Sequence, residues 1–341
     1  MKTFKNHIKT FLLVLIALAA TLPAFSQDAT QLPPGLYYSS GTKVTNPQLE
    51  DAYQAFIDIK NDGQLKDFKG EPWIATMAES HVQGILQYKD YYLLTHNNKG
   101  YSKGKMMIIN REKDKLVKEF DTPYEHYNHP GGLQVIGDYA AVAIENSSYD
   151  KSRIAFYDLR AMDDNSKPTL LDHKIKRNDR GAGAVGITSI NVGDKTRYWV
   201  AALRGKKVDF YCSNDSLLSS PNLEFTEIFT AELNKNDYQG IQLLSDQSNQ
   251  VYLIGFRSES EGTSYKDKMV LFRIDLKNET ATKLKDCHMK SEHGASIGKS
   301  GVHFRWGAGL SIVSEQSMKC FATQRNWAAN KLYTNTFKNK Y

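Results

Sequence analysis

From residue 72 onward the chain is written in short runs of Val, Ile, Leu, Tyr and Phe, divided every 8 to 12 residues by Gly, Asp, Asn or Lys. Runs of that length with that punctuation predict short strands joined by tight turns, an all-β fold. The runs recur as a unit. A Gly followed by Ile or Leu opens each one, at Gly84, Gly132, Gly186, Gly240 and Gly309, spaced 48, 54, 54 and 69 residues apart. Those periods suit a four-stranded antiparallel blade. Second strands are predicted over 91–96, 140–145, 198–204, 251–257 and 318–325, and third strands over 105–111, 152–159, 207–212, 268–276 and 331–337. Fourth strands, such as 116–120 and 225–229, follow in the first four units only. The run Trp73-Ile74-Ala75-Thr76-Met77 stands before the first unit as each fourth strand stands before the next. The pattern therefore predicts a five-bladed β-propeller whose ring is closed by this N-terminal strand, leaving no exposed sheet edge.

Ahead of the repeats the texture differs. Residues 1–26 carry Lys2, Lys5 and Lys9, an apolar run over 11–20 and Ala24-Phe25-Ser26 before Gln27, which reads as a secretory signal. The apolar run is too short to span a bilayer as a mature helix. Residues 27–70 read as an N-terminal extension with a loop at Pro33-Pro34-Gly35 and a short amphipathic helix over 49–59, and residues 71–341 as the propeller domain. The expected location is secreted or periplasmic, with no membrane span, and the expected state is a monomer.

Charge matters little once the signal is set aside. The whole chain has 44 Lys plus Arg against 38 Asp plus Glu, a formal +6, and half of that excess lies in the first 26 residues. The remainder is too small to argue for nucleic acid. Cys212, Cys287 and Cys320 are odd in number and lack metal-ligand spacing, so they read as buried small residues, with a single disulfide as the lesser alternative. The run from Gly181 to Gly186 imitates a dinucleotide fingerprint, but a strand pattern rather than a helix follows, so it reads as a blade entrance needing close backbone approach.

In a propeller the start of each first strand and the end of each second strand share one face. By this register His81, Gln83, His129, Tyr238, Gln239, His303, Arg305 and Trp306 stand at the starts, and His96, Glu145, Arg204, Arg257 and Arg325 at the ends. Arginine suits carboxylate or phosphate oxygens, so the predicted ligand is anionic or heavily hydroxylated. It would be bound by Gln83, Glu145, Arg204, Tyr238, Gln239, Arg257, Arg305 and Arg325. His81, His129 and His96 are the candidate acid/base groups. A divalent cation of zinc or manganese type is the candidate cofactor, with His81, His129 and His303 as ligands. One apparent carboxylate, Glu145, speaks against two-carboxylate glycoside hydrolysis.

The segments 129–139 (HPGGLQVIGDY), 153–159 (RIAFYDL) and 183–188 (GAVGIT) resemble those of secreted bacterial β-propeller proteins. By fold the chain is similar to five-bladed glycosidases and lectins. The His/Gln/Arg mouth resembles that of propeller-fold oligogalacturonate lyases, which bind a metal through His and Gln and grip an acidic sugar with Arg. That family has more blades and a different motif order, so no catalytic role transfers residue by residue. The resulting expectation is an exported propeller binding an acidic or polyhydroxylated saccharide or other small molecule, with lyase or hydrolase chemistry. The alternative is a non-enzymatic module that docks a glycan or a protein.

Overall fold

A computed structural model describes residues 48–71, 80–192, 195–292, 294 and 298–339. The signal region and the run 73–77 lie outside the described residues. Strands of alternating or wholly buried character form five four-stranded antiparallel sheets. Sheet 1 comprises β2 (Val82–Tyr88), β3 (Tyr91–His96), β4 (Lys105–Asn110) and β5 (Lys115–Asp121). Sheet 2 follows with β6 (His129–Ile136), β7 (Tyr139–Glu145), β8 (Ser152–Asp158) and β9 (Thr169–Arg177). Sheet 3 is β10 (Ala184–Val192), β11 (Lys195–Arg204), β12 (Lys207–Ser213) and β13 (Phe225–Glu232). Sheet 4 is β14 (Tyr238–Ser245), β15 (Val251–Glu261), β16 (Ser264–Asp275) and β17 (Thr280–Met289).

The fifth sheet is built from both ends of the chain. It contains β18 (His303–Ser314), β19 (Ser317–Thr323) and β20 (Lys331–Lys338), and its outer strand is β1 (Gln64–Lys69), antiparallel to β20 from Gln64↔Thr336 to Lys69↔Lys331. Closure by an N-terminal strand is thus present, but the strand that supplies it lies upstream of 73–77, inside what the sequence reads as the extension. The reason is register. Phe68 of β1 is fully buried with Phe321 and Leu332 of the fifth sheet, while its flanking residues face solvent. Sheets 1 and 5 also touch at two single points, Gly84↔Ala308 on the inside and Lys69↔Lys115 on the outside.

The innermost strands β2, β6, β10, β14 and β18 are neighbours in cyclic order, with β18 returning to β2. The architecture is a β-propeller of repeated sheets. Its core is divided accordingly. Among the described residues, five apolar clusters occur, one between each adjacent pair of sheets. Each fully buried Phe or Leu in them contributes about 1.5–3 kcal/mol through removal from water. Helix α1 (Ala52–Ile57) is shorter than the predicted 49–59, because Leu49 and Ile59 are drawn into bridges with Asp246 and Asn339. Asp51 caps it by accepting from Gln54 N at 2.9 Å, and Ala52, Ala55 and Phe56 cover the cluster between sheets 4 and 5.

The repeat glycines sit where neighbouring inner strands meet. For each of the five, the nearest atom to a side chain placed there belongs to the inner strand of the following sheet. A Cβ on Gly309 would overlap the carbonyl oxygen of Ile85, which is backbone and cannot swing aside. Gly309→Ala is therefore expected to destabilise the fold by about 1–3 kcal/mol. Gly183→Ala, with nothing within 4 Å of the added methyl, is expected to stay within about 0.5 kcal/mol of the parent. Urea unfolding of both variants checks this, and equal midpoints would refute the close-approach account.

Candidate functional site

The pairings put the expected ends together. Val82 lies opposite His96, His129 opposite Glu145, Tyr238 opposite Arg257 and His303 opposite Thr323. Near these starts the inner strands β2, β6, β14 and β18 bulge, with register shifts between Val82/Gly84, Pro130/Leu133, Tyr238/Gly240 and His303/Ala308. A bulge leaves residues unpaired and re-aims their side chains. Gln83 and Trp306 are such residues, and both enter one polar cluster.

That cluster is a continuous row across sheets 5, 1 and 2. Trp306 meets the His81 ring edge to face, with centroids 5.2 Å apart. The Gln83 amide nitrogen lies 2.6 Å from His81 Nε2 and 2.9 Å from His129 Nε2. His129 Nδ1 is 3.1 Å from Glu145 Oε2, and Tyr149 stands edge-on to the His129 ring at 5.0 Å. Arg325 lies over the Trp306 ring at 5.4 Å. Asn97, immediately after β3, accepts from His81 N at 2.6 Å, and its amide nitrogen is 3.3 Å from His81 Nδ1.

The Gln83 amide bridges the two imidazoles at their Nε2 atoms, and Glu145 orients the His129 ring through Nδ1. Glu145 itself is 6% exposed. Room for its carboxylate comes from Gly181, where a Cβ would overlap Oε1. The glycine-rich run thus makes space for an acid and for close strand approach, with Gly183 O accepting from Gly132 N at 3.0 Å.

Other expected members do not join. His96 is fully buried, its ring nitrogens 2.7 Å from Asn97 O and 3.1 Å from Asn326 Oδ1, so it ties sheet 1 to the loop after β19. His303 is 1% exposed, with Asp267 Oδ2 at 3.1 Å and Gly298 O at 3.1 Å from its two nitrogens. A metal triad of His81, His129 and His303 is therefore not built, and among the described residues no three His, Cys, Asp or Glu side chains converge on a cation position. Arg257 is buried and donates to Asp237 and Glu259, each at 2.7 Å. Tyr238 is buried beneath it and donates to Asn234 Oδ1 at 2.8 Å. Gln239 donates to Asp237 O at 3.3 Å. Arg204 is exposed at the end of β11, and Arg305 is half-buried in the β18 bulge.

Tyr149 and Asn97 escape sequence reasoning. Tyr149 lies in the β7–β8 turn at φ 58° and is 55% exposed, a conformation with no signature in an apolar pattern. The one usable signal was an aromatic residue in a turn already assigned to the functional face.

No protein-family model matches the chain, and no curated protein sequence matches it. Among solved structures, the chain is similar to a thermostable family-43 glycoside hydrolase at 10% identity, over 79% of this chain and 91% of that one, with a TM-score of 0.39. It is similar to a bifunctional GH43-CE protein from Bacteroides eggerthii at 11% identity, over 78% of this chain and 35% of that one, TM-score 0.40. It is also similar to a member of the DUF4221 family from Bacteroides vulgatus at 10% identity, over 81% and 97%, TM-score 0.32. Likenesses this distant say nothing about the chemistry of the row.

Burial holds the pKa of His96 below the ordinary histidine value, with its bonds to Asn97 and Asn326 opposing the shift, and burial does the same to His173. A depressed pKa leaves the unfolded chain binding more protons in acid. The stabilisation is whole above about pH 6.5, the unfolded value, and is lost as pH falls toward the folded one. Thermal midpoints between pH 7.5 and pH 5 should fall less steeply in His96→Gln than in the parent. Equal slopes would show that His96 is not buried in its neutral form.

Proposed function

We propose that this chain is an exported propeller whose Trp306–His81–Gln83–His129–Tyr149 row binds a polyhydroxylated ligand of the saccharide class. The row itself carries the reading. Two aromatic rings bracket two imidazoles and an amide, so apolar ring faces alternate with hydrogen-bonding groups. A sugar offers the complement, with C–H faces for the aromatics and hydroxyls that take over the Gln83 bridge to the two imidazoles. An anionic ligand fits less well, because Arg257 is already matched by two carboxylates and the Glu145 carboxylate stands in the row itself. Export rests on the basic-then-apolar pattern of residues 1–26. No helix among the described residues is long and apolar enough to cross a membrane.

A second reading has its own observation. A carboxylate bonded to Nδ1 orients an imidazole for proton transfer at Nε2, and Glu145 stands in that relation to His129. Catalysis would require Gln83 to swing from His129 Nε2 when substrate enters. The row holds one carboxylate, so an acid/base elimination suits it better than two-carboxylate hydrolysis.

A glycan array followed by calorimetry on the exported form tests both readings. Trp306→Ala and Tyr149→Ala are each expected to weaken saccharide binding about tenfold or more, as loss of an aromatic contact of ~1.4 kcal/mol implies. Binding that survives both substitutions, or no binding anywhere on the array, would sink the assignment. Turnover of the bound saccharide that vanishes in His129→Ala while affinity persists would select the enzymatic reading.

A further inference from the structure

The other mouth of the ring is a different kind of site. There the inner strands end around a cavity of about 280 Å³ to which all five sheets contribute, together with Gln48 from the N-terminal segment. Its floor is sealed. Gln134 accepts from Ile187 N at 2.9 Å and Leu243 N at 2.8 Å, and donates to Leu243 O at 2.8 Å, so one side chain joins sheets 2, 3 and 4 across the axis. Gln242 reinforces the seal by donating to Leu133 O at 3.0 Å. The space is a blind cup, closed off from the His81/His129 row by the tied centre of the ring.

The two sides of the cup differ in how far their polar groups are satisfied. On the side of sheets 3 and 4, Ser245 Oγ is 2.9 Å from Thr188 Oγ1 and donates to Ser189 O at 2.6 Å, and Gln48 donates to Ser189 O at 3.2 Å. Across the cup, the Gln87 side-chain amide makes no hydrogen bond among the described residues. The Ser311 hydroxyl makes only long contacts, 3.3 Å from Gln87 N and 3.4 Å from Gln87 O. A polar group lining a cavity without a good partner is free to bond an occupant. Ile136, Ile312 and Val313 form aliphatic wall between these groups. Among the described residues no carboxylate lines the cup, and the one charged liner among them, Lys89, has its ammonium 4.7 Å from the Tyr88 ring centre and 3.9 Å from Asp138.

We infer that this cup is a second ligand site, separate from the row on the opposite face, and that it takes a single uncharged polyol ring. A cavity of about 280 Å³ bounded by inner-strand ends from all five sheets suits a compact, single-ring occupant. Amide and hydroxyl groups on one wall with branched aliphatics beside them match an occupant carrying hydroxyls on a compact carbon frame. The described lining offers amides, hydroxyls and a lysine, which favours an uncharged occupant over a cation.

The test uses the full exported chain with D-glucose and myo-inositol as probes, observed by saturation-transfer NMR. Both probes, or one of them, should receive saturation in Trp306→Ala, which disables the row and leaves the cup intact and is the background for the Gln87 and Val313 substitutions. Gln87→Leu should weaken this binding about tenfold, the worth of a hydrogen bond and its desolvation. Val313→Trp, at a rim position 52% exposed and so harmless to the core, should abolish it by filling the cup. As a readout that needs no variant, the Gln87 side-chain NH₂ resonances should move on titration. Absence of saturation from both probes, binding unchanged in Val313→Trp, or a Gln87 amide that does not respond would each overturn the inference. Loss of binding in Trp306→Ala with Val313→Trp unaffected would instead place the polyol on the row.

Discussion

Five strands meeting at one axis must come closer than side chains allow, and the rest of this molecule follows from how that approach is made. The repeat glycines lie at the contact points, each against the inner strand of the next sheet. Backbone then meets backbone, as where Gly309 meets the Ile85 carbonyl. Each contact is local, but a ring transmits its demands. An added atom at one junction has to be absorbed by the others, because five interfaces share one closed circuit.

The same constraint shapes the functional face. Inner strands that converge on their glycines reach them through bulges in four of five cases, and bulges turn side chains out of the sheet pattern. Gln83 is delivered between two histidines by this means, and Trp306 against the first of them. At the other mouth β18 alone of the inner strands shifts register, between Ile312 and Ser314, and β2, β6, β10 and β14 stay regularly paired to their ends. What collects there is a smooth cup of amides, hydroxyls and aliphatic side chains. One architecture thereby yields two chemically unlike mouths, with Gln134 and Gln242 tied across the middle.

Several polar residues near the ring join sheets, His96 through Asn326 and His303 through Asp267, while Arg257 is matched within sheet 4 by Asp237 and Glu259. A buried polar group without a partner costs free energy, so each junction recruits its own neutral or charge-matched pair. The groups left for a ligand are those on the bulges and turns. β1 completes the arrangement from outside, pairing the last open edge and burying Phe68 in the junction between sheets 5 and 1.

The repeat, the strand order within each sheet and most strand limits were legible in the sequence, because period-two alternation and turn residues report local structure directly. Closure by an N-terminal strand was legible too, but the apolar run 73–77 drew the assignment, whereas the mostly polar Gln64–Lys69, with Phe68 as its one buried side chain, is what pairs with β20. The same holds for the site. His81, Gln83, His129 and Glu145 could be placed on one face by register alone, since Cα partners across a hairpin are a property of the strands. Which polar groups remain open depends on partners contributed by other sheets and loops, such as Asn326 for His96 and Asp267 for His303. Those contacts span up to 230 residues and leave no trace in a local pattern. The repeat register placed Arg204, Arg257, Arg305 and Arg325 on one face as a local anion trap, whereas in the folded chain Arg257 is matched by acids and Arg325 lies over Trp306 in a row of aromatic, imidazole and amide groups.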